Sequence, residues 1–395
     1  MGTKKNGLEL YLHIPFCIKK CDYCDFLSGP STRAGQEAYI YALLREMEAV
    51  SKNLKKRPVD TVFIGGGTPS VPECDVMEKL LQGLRDYFLF SADAEVTIEA
   101  NPGTLTPEKL SIYRKYGINR ISIGLQSPKN KELAILGRIH NYAQFLESFQ
   151  MAREAGFHNV NVDLMFAIPG QSYEGWIENL RTVAALGPEH ISAYSLIIEE
   201  GTPFSRKKLD LPDEDTEYRM YEDVAAVLKE YGYHQYEISN YAKAGRECRH
   251  NEGYWQRKDY LGLGLGAASL LGMERFSNTA DMQEYLKNSS APEKIRKNRE
   301  LLTREDEMAE FMFLGLRMTQ GVSKKEFQEY FGTAIENIYG EVLKKYQSPE
   351  HVHVAGSLEE ALQLGEELAK KEDVIVAFGS LSFIGDLTKL SENLE

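Results

Sequence analysis

A chain of 395 residues, 43% of them hydrophobic, can bury one large core or two to three ordinary ones, and its formal charge of −13 argues against a broad nucleic-acid-binding face, which needs clustered Lys and Arg. The N-terminal MGTKKNGLEL has no apolar core and no apolar run approaches the roughly 18 residues of a membrane helix, so no secretory signal, no transmembrane segment and a cytoplasmic location are expected. Five cysteines in so long a chain make no disulfide framework, and their thiols should be reduced.

Short β-branched runs alternate with amphipathic stretches. The runs predict strands over Leu8–Ile14, Thr61–Ile64, Glu95–Glu99, Arg120–Leu125, Val160–Ile168, His190–Ile198 and Tyr233–Ser239. The stretches predict helices over Ala38–Ser51, Val76–Phe88, Pro107–Tyr116, Tyr142–Ala155, Tyr173–Ala185 and Asp215–Tyr231; the basic run Lys52 to Arg57 reads as a solvated helix end. Apolar strands alternating with helices imply βαβ units and a parallel sheet, and six or seven right-handed units suit an open or partial α/β barrel. After about residue 290 the pattern becomes helical without strands, over Arg304–Arg317 and Lys324–Tyr330. From about Ser348 it becomes strand, helix, strand over Val352–Ala355, Leu358–Lys371 and Asp373–Phe378. The expected division is a core over 1–290, a helical segment over 291–347 and a βαβ tail over 348–395.

In such a sheet, ligands belong at the C-terminal ends of the strands, and the unusual motifs fall there. HIPFCIKKCDYCDF follows the first run, Gly65-Gly66-Gly67-Thr68 the second, Glu99-Ala100-Asn101-Pro102 ends the third and Gln126 the fourth; Asp163 lies within the fifth, which closes on Pro169-Gly170-Gln171. Cys17, Cys21 and Cys24 have the spacing C-x3-C-x2-C, short enough to wrap one soft metal centre. Two readings stand. His13 could complete a closed Cys3His zinc site in a zinc-stabilised binding protein, or three thiolates could hold three irons of a [4Fe–4S] cluster and leave the fourth without a protein ligand.

The cysteine loop after a first strand, with the glycine triplet after the second, resembles the radical S-adenosylmethionine (SAM) superfamily. There the open iron chelates SAM, and one electron from the cluster cleaves it to methionine and a 5′-deoxyadenosyl radical. YLHIPFCIKKCDYCDF, GGGTPS, EANPGT, GINRISIGLQS, LGRIH, DLMFAIPGQ and HNEGYW together resemble the family of oxygen-independent coproporphyrinogen III oxidases and HemW-type heme chaperones, over about Leu8 to Tyr346. The resemblance implies a partial parallel (β/α)6-type barrel followed by a helical, winged-helix-like domain, here incomplete.

Carried over position by position, it makes Cys17, Cys21 and Cys24 the cluster ligands and puts Tyr11 beside the SAM site. Gly66, Gly67 and Thr68 would line the methionine end, Glu99 and Asp163 would bind ribose hydroxyls, and Gln126 and Arg138 would be further SAM contacts. Without the motif set, Glu99 and Asp163 read as a helix cap or a loop salt bridge. The oxidases carry a fourth cysteine just after the third; Asp25 and Phe26 stand here instead, which resembles the chaperones, as does the short stretch before the first strand. In CRHNEGYW the HNxxYW pattern is linked in the chaperones to heme binding, making His250 a candidate heme contact; the bland alternative is a loop in which His250 satisfies backbone carbonyls and Trp255 fills the core. Cys248 and Cys74 read as structural. The implied activity is heme chaperoning, with heme, heme-acceptor proteins (respiratory enzymes among the candidates) and an electron donor for the cluster as partners. The alternative is a true oxidase making protoporphyrinogen from coproporphyrinogen. The tail departs from the family and resembles the C-terminal edge of folylpolyglutamate synthase-type ligases, with no ligase nucleotide-binding loop to carry activity over.

Overall fold

A computed structural model of the chain describes residues 7–54 and 57–347. Six βα units open it: β1 (Leu8–Ile14), α1 (Arg33–Leu54), β2 (Val59–Gly66), α2 (Cys74–Tyr87), β3 (Phe90–Ala100), α3 (Pro107–Lys115), β4 (Arg120–Gln126), α4 (Asn130–Ile135), α5 (Tyr142–Glu154), β5 (Val160–Phe166), α6 (Tyr173–Ala184), β6 (His190–Ser195) and α7 (Glu214–Lys229). Strands β1 to β6 lie side by side in chain order and all pair in parallel. Polar caps start the helices where the motifs end: Thr106 accepts from Lys109 N–H, Asn141 and Gln144 form a capping box, and Asp213 accepts from Thr216 N–H.

The sequence reading underestimates the sheet. The expected strand over Tyr233–Ser239 is two short antiparallel strands, β7 (His234–Glu237) and β8 (Asn240–Ala242), with β8 paired to β6. The HNEGYW stretch is a helix, α8 (Arg249–Trp255), rather than a loop. It leads into β9 (Tyr260–Leu263), which runs parallel beside β1, and then antiparallel β10 (Ala268–Leu271) and β11 (Glu274–Asn278). After α9 (Met282–Asn288) and α10 (Pro292–Ile295) comes β12 (Arg296–Leu301), paired with β11, so the sheet runs past residue 290 to Leu301. Its sequence RKNREL is almost wholly exposed, and an edge strand rich in charge shows none of the apolar alternation by which strands are read. The sheet ends at β12 and β7, so the barrel is partial.

The two faces of the sheet differ. Leu8, Leu10, Leu12 and Ile14 of β1 pack with Val62, Ile64, Val96, Ile98 and helix residues such as Leu43, Met47 and Leu80 in one core. The alternate residues point to the opposite, inner face: Glu9, Tyr11 and His13 of β1, Thr61 of β2, Glu95, Thr97 and Glu99 of β3, Arg120 and Ser122 of β4, Asn161 and Asp163 of β5. A strand period of two therefore separates an oily outer layer from a polar inner one. The C-terminal helices α11 (Arg304–Gly315), α12 (Lys324–Phe331) and α13 (Ile335–Gln347) close over Met308, Phe327, Phe331 and Ile335. The expected βαβ tail lies outside the described residues. No helix among the described residues is long and apolar enough to cross a membrane.

Candidate functional site

The cysteine loop leaves β1 and is tied back by its own backbone. Cys17 N–H donates to Gly29 O at 3.0 Å, Cys24 N–H to Cys21 O at 3.3 Å, and Asp22 N–H to Leu136 O at 3.2 Å. Cys17, Cys21 and Cys24 are all free and partly exposed. Burial pushes the Cys24 thiol up.

The zinc reading requires a free imidazole nitrogen. His13 has none: Nε2 bonds Leu27 O at 2.8 Å and Nδ1 bonds the Tyr11 hydroxyl at 3.0 Å. Among the described residues no group of three or more His, Cys, Asp or Glu side chains could hold a single metal ion. Three thiols on one short loop, with no fourth protein donor beside them, fit the three-thiolate cluster instead. Cys248 is far from such a role. It is fully buried, its Sγ lies 3.7 Å from Glu95 Oε1, and burial pushes its thiol up to about 12. Cys74 opens α2.

The glycine triplet lies against this loop because β1 and β2 pair in register, His13 opposite Gly65 and Ile14 opposite Gly66. Gly66 has φ of +105°, and a Cβ there would meet His13 Nδ1 at 2.4 Å. A Cβ on Gly67 would meet backbone atoms of Ile14 and Phe16 at 2.8 Å. Gly67 N–H donates to Ile14 O and Thr68 N–H to Phe16 O, so the triplet is laced to the cysteine loop.

Glu99 reaches the same place from β3, its Oε2 accepting the Gly66 N–H at 3.1 Å. Burial, with the Asp163 carboxylate as the second cause, raises its pKa to about 8. Asp163 accepts from Asn161 Nδ2 at 2.7 Å and from the Ser122 hydroxyl at 3.2 Å, and burial raises it too. Tyr11 also faces this region, and burial and Glu99 both raise its pKa. Two buried inner-face carboxylates, both with raised pKa and neither with a direct cation partner among the described residues, suit acceptors for hydroxyl groups. Gln126 ends β4 with φ of +72°, and Ala167, just after β5, has φ of +58°. Such backbone is costly for a residue with a Cβ and gathers at functional sites.

Arg138 donates to Asn101 Oδ1 and to Gly124 O, both at 2.6 Å, and to Cys21 Sγ at 3.5 Å. Asn101 is the residue that motif reading passed over. Its sequence signal was its place two residues after Glu99 in EANP at a strand end.

The structure thus brings Cys17, Cys21, Tyr11, Gly66, Gly67, Thr68, Glu99, Asp163 and Arg138 to one end of the sheet. It does not bring His250 there. His250 is buried, with Nδ1 bonded to the Thr61 hydroxyl at 2.7 Å, Nε2 to the Tyr254 hydroxyl at 3.0 Å and its ring stacked on Phe63 at 5.4 Å. Burial, then Arg120 and Lys258, lower its pKa to about 3. Both nitrogens are used inside the sheet, by side chains rather than by the backbone carbonyls of the bland alternative. Trp255 is not core filling; with Phe311, Met318 and Tyr330 it lines a cavity of about 460 Å³, and the Arg317 guanidinium lies 4.2 Å from its ring centre.

The radical SAM superfamily model matches residues 11–183 and the HemN C-terminal domain model residues 302–358. The chain is 36% identical to the heme chaperone HemW of Bacillus subtilis over 382 residues, covering 95% of this chain and 99% of that protein. It is 41% identical to the heme chaperone HemW of Escherichia coli over 266 residues, 67% of this chain and 70% of that one. The solved structure of coproporphyrinogen III oxidase (HemN) from Escherichia coli, a radical SAM enzyme, superposes with a TM-score of 0.77 at 24% identity over 86% of this chain and 82% of that chain, a likeness of fold alone. The HemN C-terminal match runs past Ser348, where the tail was expected to leave the family, and the likeness of the tail to a ligase gains no support. A three-cysteine loop laced to a glycine triplet on a partial barrel, and a HemW relative matched over 99% of its length, lead to one conclusion: the chain belongs to the HemW family of the radical SAM superfamily.

Proposed function

We propose that the chain is a heme chaperone that holds a [4Fe–4S] cluster on Cys17, Cys21 and Cys24, binds SAM and heme, and delivers heme to acceptor proteins. The observation that carries this reading is the near-full-length similarity to proteins named heme chaperones, in a chain that keeps the three-cysteine loop and has Asp25-Phe26 after it. When bound, the cluster supplies the electron and the open iron for SAM. The chain's own residues do the positioning: Gly66 and Gly67 let backbone approach the ligand, Thr68 and Arg138 address two of the thiolates, and Glu99 and Asp163 offer acceptors for hydroxyls, with Tyr11 and Gln126 beside them. His250 adds little support for heme ligation, since its nitrogens are engaged. The division into a barrel core, a helical segment from α11 and a tail belongs to the same proposal.

The test is one anaerobic preparation, with iron and sulfide counted and heme and coproporphyrinogen III titrated separately. The reading expects about four irons, heme binding, and no protoporphyrinogen in the presence of SAM and reductant. Cys17→Ala, Cys21→Ala or Cys24→Ala should each abolish iron, while Cys74→Ala and Cys248→Ala should keep it. Multiple-turnover decarboxylation would move the chain to the oxidases, and zinc without iron would remove the cluster.

A further inference from the structure

Three side chains from three separate segments form a hydrogen-bonded arc between two of the cysteines. Arg138 Nη1 donates to Cys21 Sγ at 3.5 Å and its Nη2 donates to Asn101 Oδ1 at 2.6 Å. Asn101 Nδ2 donates to Thr68 Oγ1 at 2.7 Å, and Thr68 Oγ1 lies 3.5 Å from Cys17 Sγ. With Cys17 as a cluster thiolate, which can only accept, the direction of each bond is forced. Arg has only donors, so Asn101 must turn its oxygen to Arg138 and its NH2 to Thr68. The Thr68 oxygen then accepts from Asn101, and its own proton is left to point at Cys17. We infer that Asn101 is a positioning residue for the cluster, orienting one hydrogen-bond donor toward Cys17 and another toward Cys21.

Asn101 touches neither cysteine and acts through Thr68 and Arg138. Hydrogen bonds to cluster sulfurs stabilise the reduced, more negative state and are one of the protein's levers on potential. The amide is the only side-chain type of that length that can accept from Arg138 and donate to Thr68 at once. Asp could accept from Arg138 but not donate, so Thr68 would turn its proton to the new carboxylate and away from Cys17. Leu would release both donors.

The inference rests on the three-cysteine cluster, and its test separates the two. Wild type, Asn101→Leu, Asn101→Asp, Thr68→Val and the Asn101→Asp/Thr68→Val double variant are reconstituted anaerobically and titrated potentiometrically with EPR detection. The expected result for Asn101→Leu is a shift to lower potential, about tenfold in the reduced-to-oxidised ratio at fixed poise, or about 59 mV for a one-electron couple. Adding Asn101→Asp to Thr68→Val should shift the potential by less than adding it to wild type, because the Cys17 arm is already gone. An iron-loaded Asn101→Leu with wild-type potential and EPR line shape would overturn the inference. Should Asn101→Leu fail to hold iron, the Asn101→Asp and Thr68→Val pair decides, and full additivity there overturns it. A wild-type chain that holds no iron would instead defeat the cluster reading.

Discussion

The Glu99 carboxylate, from the third strand, accepts the backbone N–H of Gly66, at the end of the second, at 3.1 Å. The bond joins the Glu99 carboxylate, the proposed hydroxyl acceptor, to the glycine turn that faces the cysteine loop. Gly66 holds a φ of +105°, and a Cβ there would meet His13 Nδ1 at 2.4 Å, so a side chain would shift this turn. Gly66→Ala should therefore weaken SAM binding at least tenfold while the iron count stays at the wild-type value, read by SAM titration of the reconstituted protein. Unchanged affinity would mean that the turn is not part of the ligand site.

Glu99 also sets a pH dependence. Its pKa is raised to about 8, chiefly by burial, so in the ligand-free protein the carboxyl is largely protonated at neutral pH. Hydroxyl donors prefer the ionised form, so SAM binding should expel a proton and affinity should rise as pH increases toward about 8, then level off. Glu99→Gln should bind more weakly above pH 8 and lose this slope. The measurement is the SAM dissociation constant across that range, and a wild-type slope of zero would count against Glu99 as a hydroxyl acceptor.

His250→Ala is expected to act on stability. The substitution strips the Thr61 and Tyr254 hydroxyls of a buried partner and removes the ring stacked on Phe63. A loss of about 1–3 kcal/mol follows for each polar group left unsatisfied. Denaturant unfolding should show the drop while heme stoichiometry persists. Loss of heme with unchanged unfolding would make His250 a heme contact.

Arg257 docks the C-terminal helices on the barrel. Its Nε donates to Glu310 at 2.6 Å and its Nη1 to Glu307 at 2.8 Å, with all three side chains largely buried. Arg257→Met should cost about 3–5 kcal/mol, the usual consequence of breaking a buried ion pair from one side. The loss should fall first on the segment after Thr303, seen as faster hydrogen exchange or proteolysis there with iron binding at the cysteine loop retained. Equal protection in both proteins would show that the apolar packing around Phe327 suffices.

The sequence by itself determined what is written in consecutive residues. The C-x3-C-x2-C spacing, the glycine triplet and the EANP turn are local patterns, and the alternation of apolar runs with amphipathic stretches was enough to place each at a strand end. Tertiary structure alone decided which of these residues meet. Register between strands set Gly66 against the cysteine loop and brought Asn101 between Arg138 and Thr68, pairings across tens of residues that no periodicity records. The same holds for His250, whose partner Thr61 lies 189 residues away; a histidine beside aromatics reads alike whether it faces a ligand or a hydroxyl in the core. The edge strand Arg296–Leu301 stayed hidden for the opposite reason, because it is held by backbone bonds to its neighbour while its charged side chains face solvent. Chain-local chemistry is legible before folding, whereas a hydrogen-bond partner supplied by another strand exists only once the sheet has set its register.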